Sequence, residues 1–307
     1  MTNEDRAVGC LLGLAVGDAV GTTLEFSTPD KETGMLPRSR WLTDMVGGGP
    51  FGLPKGGHTD DTSMALALGE SLAEYGWDPE DQMQRFVDWR RDGRYSVKGY
   101  CFDIGGATSR AISTFEETGD PYAGHPKDAG NGALMRLAPV PIYYAHTPMD
   151  EVARKGAEES SLTHGHRDSE DCCAAFAVLC ALAINGAPKE QLLDPVTSLT
   201  WDFAGKARMI CGSRSYLKGP PHVTGSGYVV RTFEAALWAF ATTDTYKDAI
   251  LKVTRLGRDT DTTAAVTGQL AGAFYGADGI PETWRRDVVW GRQIEDLAHT
   301  LYMRGPR

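Results

Sequence analysis

The sequence predicts an all-α fold, and three observations lead to this prediction. Apolar residues recur every third or fourth position along much of the chain, as at Met64, Leu68 and Leu72, which is the period of an amphipathic helix. No stretch shows the sustained period-two alternation of a half-buried β-strand. Two segments also carry glycine at every fourth position, which aligns small residues on one helix face. These patterns indicate a fold of packed helices.

The first predicted helix runs from Arg6 to Thr22 and contains one of the two glycine stripes. Glycine costs a helix up to about 1 kcal/mol per position, so a repeated glycine indicates close approach of another backbone. We predict that this helix crosses the later helix with glycines at 268, 272 and 276. Asp18, Glu25 and Asp261 would then lie at the same end of the pair. In the alternative interpretation, these are small residues of a crowded bundle, with the same packing and no site.

Residues 28–54 are rich in Gly and Pro and predict a long irregular loop. Loops of this length in compact domains are usually functional or mobile. Because this loop ends beside an acidic cluster, we expect it to form a lid or wall there. Its glycine-rich end with Lys55 lacks the G-x-x-x-x-G-K-[ST] pattern, which argues against a P-loop.

The second predicted helix opens with Thr59, Asp60 and Asp61. Two adjacent carboxylates repel each other, and the helix dipole supplies only about half a positive charge at the N-terminus. A divalent cation would balance them better. The pattern recurs two hundred residues later, where Asp259, Asp261 and Thr262 open another small-residue helix.

The two helix N-termini, if they face each other, would gather four aspartates and several threonine hydroxyls. An all-oxygen ligand set suits magnesium or manganese, whereas zinc prefers Cys and His. Four carboxylates favour two ions over one, as in two-metal hydrolysis. The sequence therefore predicts two divalent cations, Mg²⁺ or Mn²⁺.

Polar residues in glycine-punctuated turns are further candidates. Asp103 precedes a predicted helix, where an aspartate is most often a cap. The turn at residues 128–132 leads into another helix, whose N–H groups offer a weak indication of an anion site. His164 and His166 have no third nitrogen or sulfur ligand nearby in the sequence, so we expect His164 to contact a ligand or to cap a helix.

The remaining helices are predicted from the spacing of apolar residues. They are predicted at Pro79–Arg91, in a segment containing Ala111 and Phe115, at Met149–Ser161, at Ser169–Asn185, in the first part of Gln191–Pro220, at Val229–Thr242, at Tyr246–Leu256 and at Thr283–Met303. Because the acidic clusters come from both ends of the chain, residues 1–307 are predicted to form one domain.

Composition limits the function further. The 307 residues are 41% hydrophobic and 23% charged, with a formal net charge of -10, which argues against nucleic acid or an anionic membrane as a partner. The six cysteines have no C-x-x-C spacing, so reduced thiols in a cytoplasmic protein are expected. The apolar run Ala7–Val20 is short and contains Asp18, so it is predicted to be neither a signal peptide nor a membrane span.

Several of these segments together resemble the ADP-ribosylglycohydrolase family, which includes the dinitrogenase-reductase-activating glycohydrolase. The resemblance covers nearly the whole chain. It rests on GLAVGDAVGTTLE (Gly13–Glu25), GHTDDTSM (Gly57–Met64), FDIGGAT (Phe102–Thr108), GNGALMRLAP (Gly130–Pro139), LTHG (Leu162–Gly165) and GRDTDTT (Gly257–Thr263). The resemblance implies a single compact, orthogonal multi-helix bundle with a two-metal centre. It also implies hydrolysis of the bond between ADP-ribose and an acceptor.

The resemblance also assigns residues. The family's metal ligands match Thr59, Asp60, Asp61, Asp259, Asp261 and Thr262. Glu25 matches an acidic residue beside the metals, and Asp103 matches one that faces the substrate ribose. The positions that line the ADP-ribose cleft match Gly105, Asn131, Gly132 and His164. Many bacterial members have Asn where Gly106 stands, which leaves the acceptor specificity open.

The expected function is therefore a metal-dependent hydrolase that releases ADP-ribose from an ADP-ribosylated protein or small molecule, with arginine as the first acceptor to consider. Serine, nucleic-acid and small-guanidine linkages stay open. Asp103 would handle the proton, while Glu25 would support metal and ribose. The alternatives are a di-metal nucleotide pyrophosphohydrolase, which would release AMP, and a non-catalytic binding or structural homologue, as lens crystallins resembling this family are.

Overall fold

The computed structural model describes residues 1–194 and 205–307. Within these ranges all extended regular elements are helices, and β-type pairing is limited to isolated bridges. The predicted all-α fold is confirmed.

The helices of the described ranges are numbered here in chain order. They are α1 (Asn3–Gly21), α2 (Asp60–Tyr75), α3 (Pro79–Asp92), α4 (Gly106–Thr118), α5 (Gly132–Met135), α6 (Pro139–Tyr143), α7 (Met149–Ser161), α8 (Arg167–Ile184), α9 (Lys189–Leu192), α10 (Lys206–Ser213), α11 (Val229–Ala241), α12 (Tyr246–Val253), α13 (Thr260–Tyr275), α14 (Glu282–Asp287) and α15 (Gly291–Arg304). Short 3₁₀ turns lie at Thr22–Leu24, Arg38–Arg40, Ser215–Lys218, Thr254–Leu256 and Ala277–Gly279.

Helices α1 and α13 form the centre of the fold and run antiparallel with their backbones in contact. A Cβ atom added at Gly13 would lie 2.3 Å from the carbonyl oxygen of Gly268, and one at Gly21 would lie 2.2 Å from that of Thr260. Only glycine permits this approach at both ends of the crossing. The predicted tight crossing is confirmed, and it brings the end of α1 against Asp261 at the start of α13.

The N-terminal apolar segment is part of this core. The stretch Asn3–Leu24 is the one helix in the described ranges that is long and apolar enough to cross a membrane. Its most apolar window is 89% buried inside the protein. A buried core helix meets the same length and hydropathy criteria as a membrane span.

The C-terminal segment differs from the sequence prediction. The single helix expected over Thr283–Met303 is two helices, α14 and α15, separated at Val288–Trp290. The N–H of Val289 leaves the helical pattern and donates to the carbonyl of Gly56 at 2.9 Å. This bond joins the break to the loop that leads into α2.

The segment predicted at Gln191–Pro220 is only partly described. It contains α9, α10 and a 3₁₀ turn at Ser215–Lys218, whereas residues 195–204 lie outside the described ranges. The other predicted helices agree with the structure to within a few residues at their ends.

Candidate active site

The N-termini of α2 and α13 open into one cleft of about 800 Å³. Thr59 and Asp61 lie fully buried at the start of α2. The other ten residues predicted for the site all line the cleft: Glu25, Asp60, Asp103, Gly105, Asn131, Gly132, His164, Asp259, Asp261 and Thr262. The small-residue packing of α1 and α13 is therefore accompanied by a cleft at one end, contrary to the interpretation without a site.

Asp18 organises the start of α2, a role that the sequence did not reveal. Its fully buried carboxylate accepts hydrogen bonds from the N–H groups of Thr59 and Thr62 at 3.0 and 3.1 Å. It also accepts from both hydroxyls, at 2.9 Å for Thr59 and 2.6 Å for Thr62. A side chain of α1 thus caps α2 and fixes the position of Asp60 and Asp61. The sequence analysis placed Asp18 at this end of the helix pair but did not reveal its hydrogen bonds to α2.

Three carboxyl groups from distant parts of the chain meet in the cleft. Ligand oxygens of Glu25, Asp103 and Asp261 all lie within 4.8 Å of one another. Glu25 Oε2, Asp103 Oδ2 and the neighbouring Asp61 Oδ1 are buried, and none has a hydrogen-bond partner among the described residues. Buried acceptor atoms normally have partners, so these unpaired oxygens are placed to bind a hydrogen-bond donor or a cation.

Burial and mutual repulsion raise the pKa of these carboxyl groups. Burial is the larger cause for Glu25, whose pKa rises to about 8 with a further contribution from the charge of Asp103. The pKa of Asp103 rises to about 7, again mainly through burial. The pKa values of Asp60, Asp61 and Asp261 are also raised well above the usual range, chiefly through burial. The cleft therefore disfavours the ionised form of its carboxyl groups.

This electrostatic cost predicts how the stability of the metal-free protein varies with pH. Unfolded carboxyl groups have pKa values of about 4, so between that pH and about 8 the folded protein binds more protons through Glu25 and Asp103. Their contribution to the free energy of unfolding then decreases as pH rises. The Glu25→Gln variant lacks this carboxyl group. In chelator, its Tm should therefore exceed that of wild type by an amount that grows from about pH 5.5 to about pH 8. A difference that is constant or shrinks with pH in thermal unfolding would contradict this.

Asp259, in the second acidic cluster, is held by the side-chain amide of Asn131. Asn131 Nδ2 donates to Asp259 Oδ2 at 2.8 Å and to Thr232 Oγ1 at 2.9 Å. Asn131 was predicted to line the cleft, which it does, but its described bonds orient Asp259 against α11. The amide therefore joins the loop before α5 to the second acidic cluster.

Three loops beside the carboxylates have unusual backbone conformations. Phe26, Asp103 and Arg258 have φ values of 58°, 62° and 66°, in the left-handed region that costs non-glycine residues of order 1–3 kcal/mol. The N–H of Phe26 donates to the carbonyl of Arg258 at 2.6 Å, and the N–H of Arg258 donates to the carbonyl of Ser27 at 2.7 Å. These bonds hold the segment after Glu25 against the segment before α13.

A row of three aromatic side chains begins at the edge of the cleft with Phe26. Phe26 lines the cleft and is 66% exposed. Its ring centroid lies 6.2 Å from that of Phe51, which lies 5.3 Å from that of Phe102, the residue before Asp103. Of the loop predicted as a lid or wall, only Thr28 and Pro29 line the cleft.

The capping roles considered for Asp103 and His164 do not occur. Helix α4 has Gly105 at its N-cap, and no side chain in the described part of the protein caps it. The histidine that caps α8 is His166, whose Nδ1 accepts from the N–H of Asp168 at 3.0 Å. His164 is buried and lines the cleft instead.

The residues present fit hard cations. The unpaired buried oxygens of Asp61, Asp103 and Glu25 would be available to coordinate a cation. The six predicted ligands offer only carboxylate and hydroxyl oxygens, the donor set of magnesium and manganese. His164, the imidazole of the predicted site, has its Nδ1 2.8 Å from Thr163 Oγ1.

Fold and site together define a helical protein with an acidic, all-oxygen centre between two helix N-termini. The sequence model of the ADP-ribosylglycohydrolase family matches residues 1–307. The chain belongs to the ADP-ribosylglycohydrolase family. The family resemblance and the predicted class of enzyme, an ADP-ribosyl glycohydrolase, are confirmed.

Individual relatives support this membership. The chain is 43% identical to the ADP-ribosylarginine hydrolase Tri1 of Pseudomonas putida (strain GB-1), over 99% of this chain and 79% of that protein. It is 34% identical to the ADP-ribosyl-[dinitrogen reductase] glycohydrolase of Rhodospirillum rubrum, over 97% of this chain and 96% of that protein. A solved structure described as an ADP-ribosylglycohydrolase-related protein complex superimposes with a TM-score of 0.86, at 40% identity and 99% coverage of both chains.

Proposed function

We propose that this protein hydrolyses the bond between ADP-ribose and the guanidine group of arginine in an ADP-ribosylated acceptor, releasing ADP-ribose. The observation that carries the proposal is the meeting of both acidic clusters with Glu25 and Asp103 in one cleft. The relatives named as ADP-ribosylarginine hydrolases, which match 98–99% of this chain, favour arginine over other acceptors.

Arginine also suits the charge of the cleft. A guanidine group stays cationic at physiological pH, whereas a serine or phosphate acceptor brings no positive charge. Carboxyl oxygens of Glu25 and Asp103 lie close together in the cleft. Phe26 follows Glu25, and Phe102 precedes Asp103. A cationic acceptor placed between these carboxylates would lower their electrostatic cost.

Two divalent cations, Mg²⁺ or Mn²⁺, complete the proposed site. They would be held by the following six residues: Thr59, Asp60, Asp61, Asp259, Asp261 and Thr262. When bound, such ions orient substrate hydroxyls and lower the pKa of a coordinated water towards neutrality. The protein's own part is to fix these ligands, through Asp18 at the start of α2 and Asn131 beside α13.

Asp103 is the proposed acid–base group. Breaking a bond at the anomeric carbon develops oxocarbenium character, so a water must lose a proton while the leaving nitrogen gains one. A carboxyl oxygen of Asp103 lies within 4.8 Å of those of Glu25 and Asp261, and its buried Oδ2 has no hydrogen-bond partner among the described residues. This group is therefore free to exchange a proton with the reacting atoms. Glu25, a ligand oxygen of which lies within 4.8 Å of those of Asp103 and Asp261, would hold the ribose and support the cations.

The variant Asp103→Asn tests this assignment. Turnover should fall by ~10²–10⁴-fold, which is the usual contribution of general acid–base catalysis, while metal content stays close to that of wild type. Asp278→Asn is the matched control, because the Asp278 side chain is 87% exposed on a surface turn. Turnover of Asp103→Asn within a few fold of wild type, with unchanged metal content, would contradict the assignment.

The function itself is tested with a panel of ADP-ribosylated peptides that differ only in the modified residue. Incubation with and without chelator, followed by mass spectrometry, should show intact ADP-ribose released from arginine-linked peptide, and only when metal is present. Release of AMP would instead support the pyrophosphohydrolase. Cleavage of the serine-linked peptide alone would contradict the proposed linkage.

A further inference from the structure

A chain of buried polar side chains leads from the core to His164. Arg136 and Glu159 are both fully buried and form an ion pair, in which Arg136 Nε donates to Glu159 Oε1. Arg136 Nη2 donates to Thr163 Oγ1 at 2.8 Å. Thr163 Oγ1 lies in turn 2.8 Å from His164 Nδ1. The sequence motifs that contain Arg136 and Thr163 gave these two residues no role.

The orientation of Arg136 is fixed on several sides. Its guanidinium lies 4.7 Å from the centroid of the Phe86 ring, and Nη1 approaches Met64 Sδ at 3.9 Å. Arginine has donors and no acceptor, so Thr163 Oγ1 can only accept from it. The direction of the first hydrogen bond onto Thr163 is therefore determined.

The direction of the next bond follows. The hydroxyl of Thr163 has one hydrogen, and the hydrogen bonds of its side chain in the described ranges go to Arg136 and His164. If His164 Nδ1 carried a hydrogen, the hydroxyl hydrogen of Thr163 would be buried without an acceptor, which costs about 1–3 kcal/mol. The hydroxyl therefore donates to Nδ1.

The charge state of His164 leaves one nitrogen for its proton. Burial, with smaller contributions from Arg136 and Arg110, lowers the pKa of His164 to about 3. The ring is neutral at physiological pH and carries one N–H group. Since Nδ1 accepts, the hydrogen is on Nε2.

We propose that the chain Glu159–Arg136–Thr163 holds His164 in the Nε2–H tautomer, so that it presents a fixed hydrogen-bond donor to an oxygen of bound ADP-ribose. Arg136 and Thr163 are positioning residues that act through His164. This inference rests on the proposed function for the identity of the ligand.

The surroundings of the ring support this use. His164 lines the cleft, and no hydrogen bond of its Nε2 occurs among the described residues. A Cβ atom added at Gly132 would lie 2.8 Å from His164 Cε1, and one at Gly130 would lie 3.1 Å from Nε2. The two glycines leave room for the ring edge that carries Nε2.

The first test is the tautomer itself, read from ¹⁵N chemical shifts of the full-length protein labelled at histidine. Wild type should show a protonated Nε2 and an unprotonated Nδ1 for His164, with no titration between about pH 5 and pH 9. The His164→Gln variant assigns the signals. A protonated Nδ1 in wild type would overturn the proposal. This measurement does not depend on activity, so its outcome is separate from the failure of the proposed function.

The second test removes the hydroxyl that sets the tautomer. Thr163→Val should give a mixture of both tautomers and raise the Kd for ADP-ribose in proportion to the lost Nε2–H population, about twofold for an equal mixture. Thr163→Ser should restore both values. Thr267→Val is the matched control, since Thr267 is equally buried and its hydroxyl donates to the carbonyl of Thr263 inside α13. Unchanged tautomer and Kd in Thr163→Val would overturn the proposal, and if that variant does not fold, the wild-type spectrum still decides.

Discussion

Replacing Asp261 by Asn is expected to lower the rate of ADP-ribose release at least ~10³-fold, because the variant removes one charge from the proposed cation ligands. The substitution is nearly isosteric, and the Oδ1 atom of Asn can still accept from the N–H of Thr262, as that of Asp261 does at 2.8 Å. Bound manganese, measured by elemental analysis after desalting, should fall with the activity. The change is therefore electrostatic and leaves the start of α13 in place.

The same variant should be more stable than wild type when metal is absent. The pKa of Asp261 is raised by burial and by the charges of Asp61 and Glu25, so its ionised form destabilises the metal-free fold at neutral pH. In chelator, Asp261→Asn should have the higher Tm, and with manganese the lower. Asp278→Asn serves as control, with both Tm values near those of wild type. A variant that keeps its manganese and its activity within a few fold would contradict the proposed role of Asp261.

Replacing Gly13 by Ala is expected to unfold the protein or to lower its free energy of unfolding by about 3 kcal/mol or more, the upper range for overpacking a core. The new Cβ would lie 2.3 Å from the carbonyl oxygen of Gly268, and backbone atoms cannot move aside as a side chain can. Helices α1 and α13 would have to separate. Because this crossing positions Asp18 and Asp261, metal affinity should fall together with stability.

The matched control is Gly212→Ala in α10, where an added Cβ meets nothing within 4 Å among the described residues. Both changes replace a helical glycine by alanine, which by itself favours a helix by up to about 1 kcal/mol. Denaturant unfolding should therefore show no loss of stability for Gly212→Ala and a large loss for Gly13→Ala. Equal effects of the two variants would contradict the close backbone contact.

The glycine spacing and the paired acidic motifs made the central helix pair and most of the cleft predictable. Glycine at every fourth position has few explanations other than backbone contact, and carboxylates clustered at two helix N-termini repel one another, which favours a common counter-charge. Both are local patterns, and the sequence alone shows their energetic cost: glycine destabilises a helix, and neighbouring carboxylates repel each other.

Other parts of the site depended on contacts that no local pattern encodes. The capping of α2 by Asp18 joins residues about forty positions apart, and the chain from Glu159 to His164 passes through a threonine that looks ordinary in sequence. The break between α14 and α15 arises because Val289 bonds to Gly56, so helical spacing alone could not reveal it. Asn131 likewise lined the cleft as predicted, but its bond to Asp259 became apparent only in three dimensions.

The central claim is that two cations lie between the N-termini of α2 and α13, and anomalous diffraction from crystals grown with Mn²⁺ tests it most directly. We expect two strong anomalous peaks in the cleft, each within bonding distance of oxygens from both acidic clusters, Asp60–Asp61 and Asp259–Asp261. A cleft without anomalous density at saturating Mn²⁺, in crystals of protein that is active in solution, would contradict it.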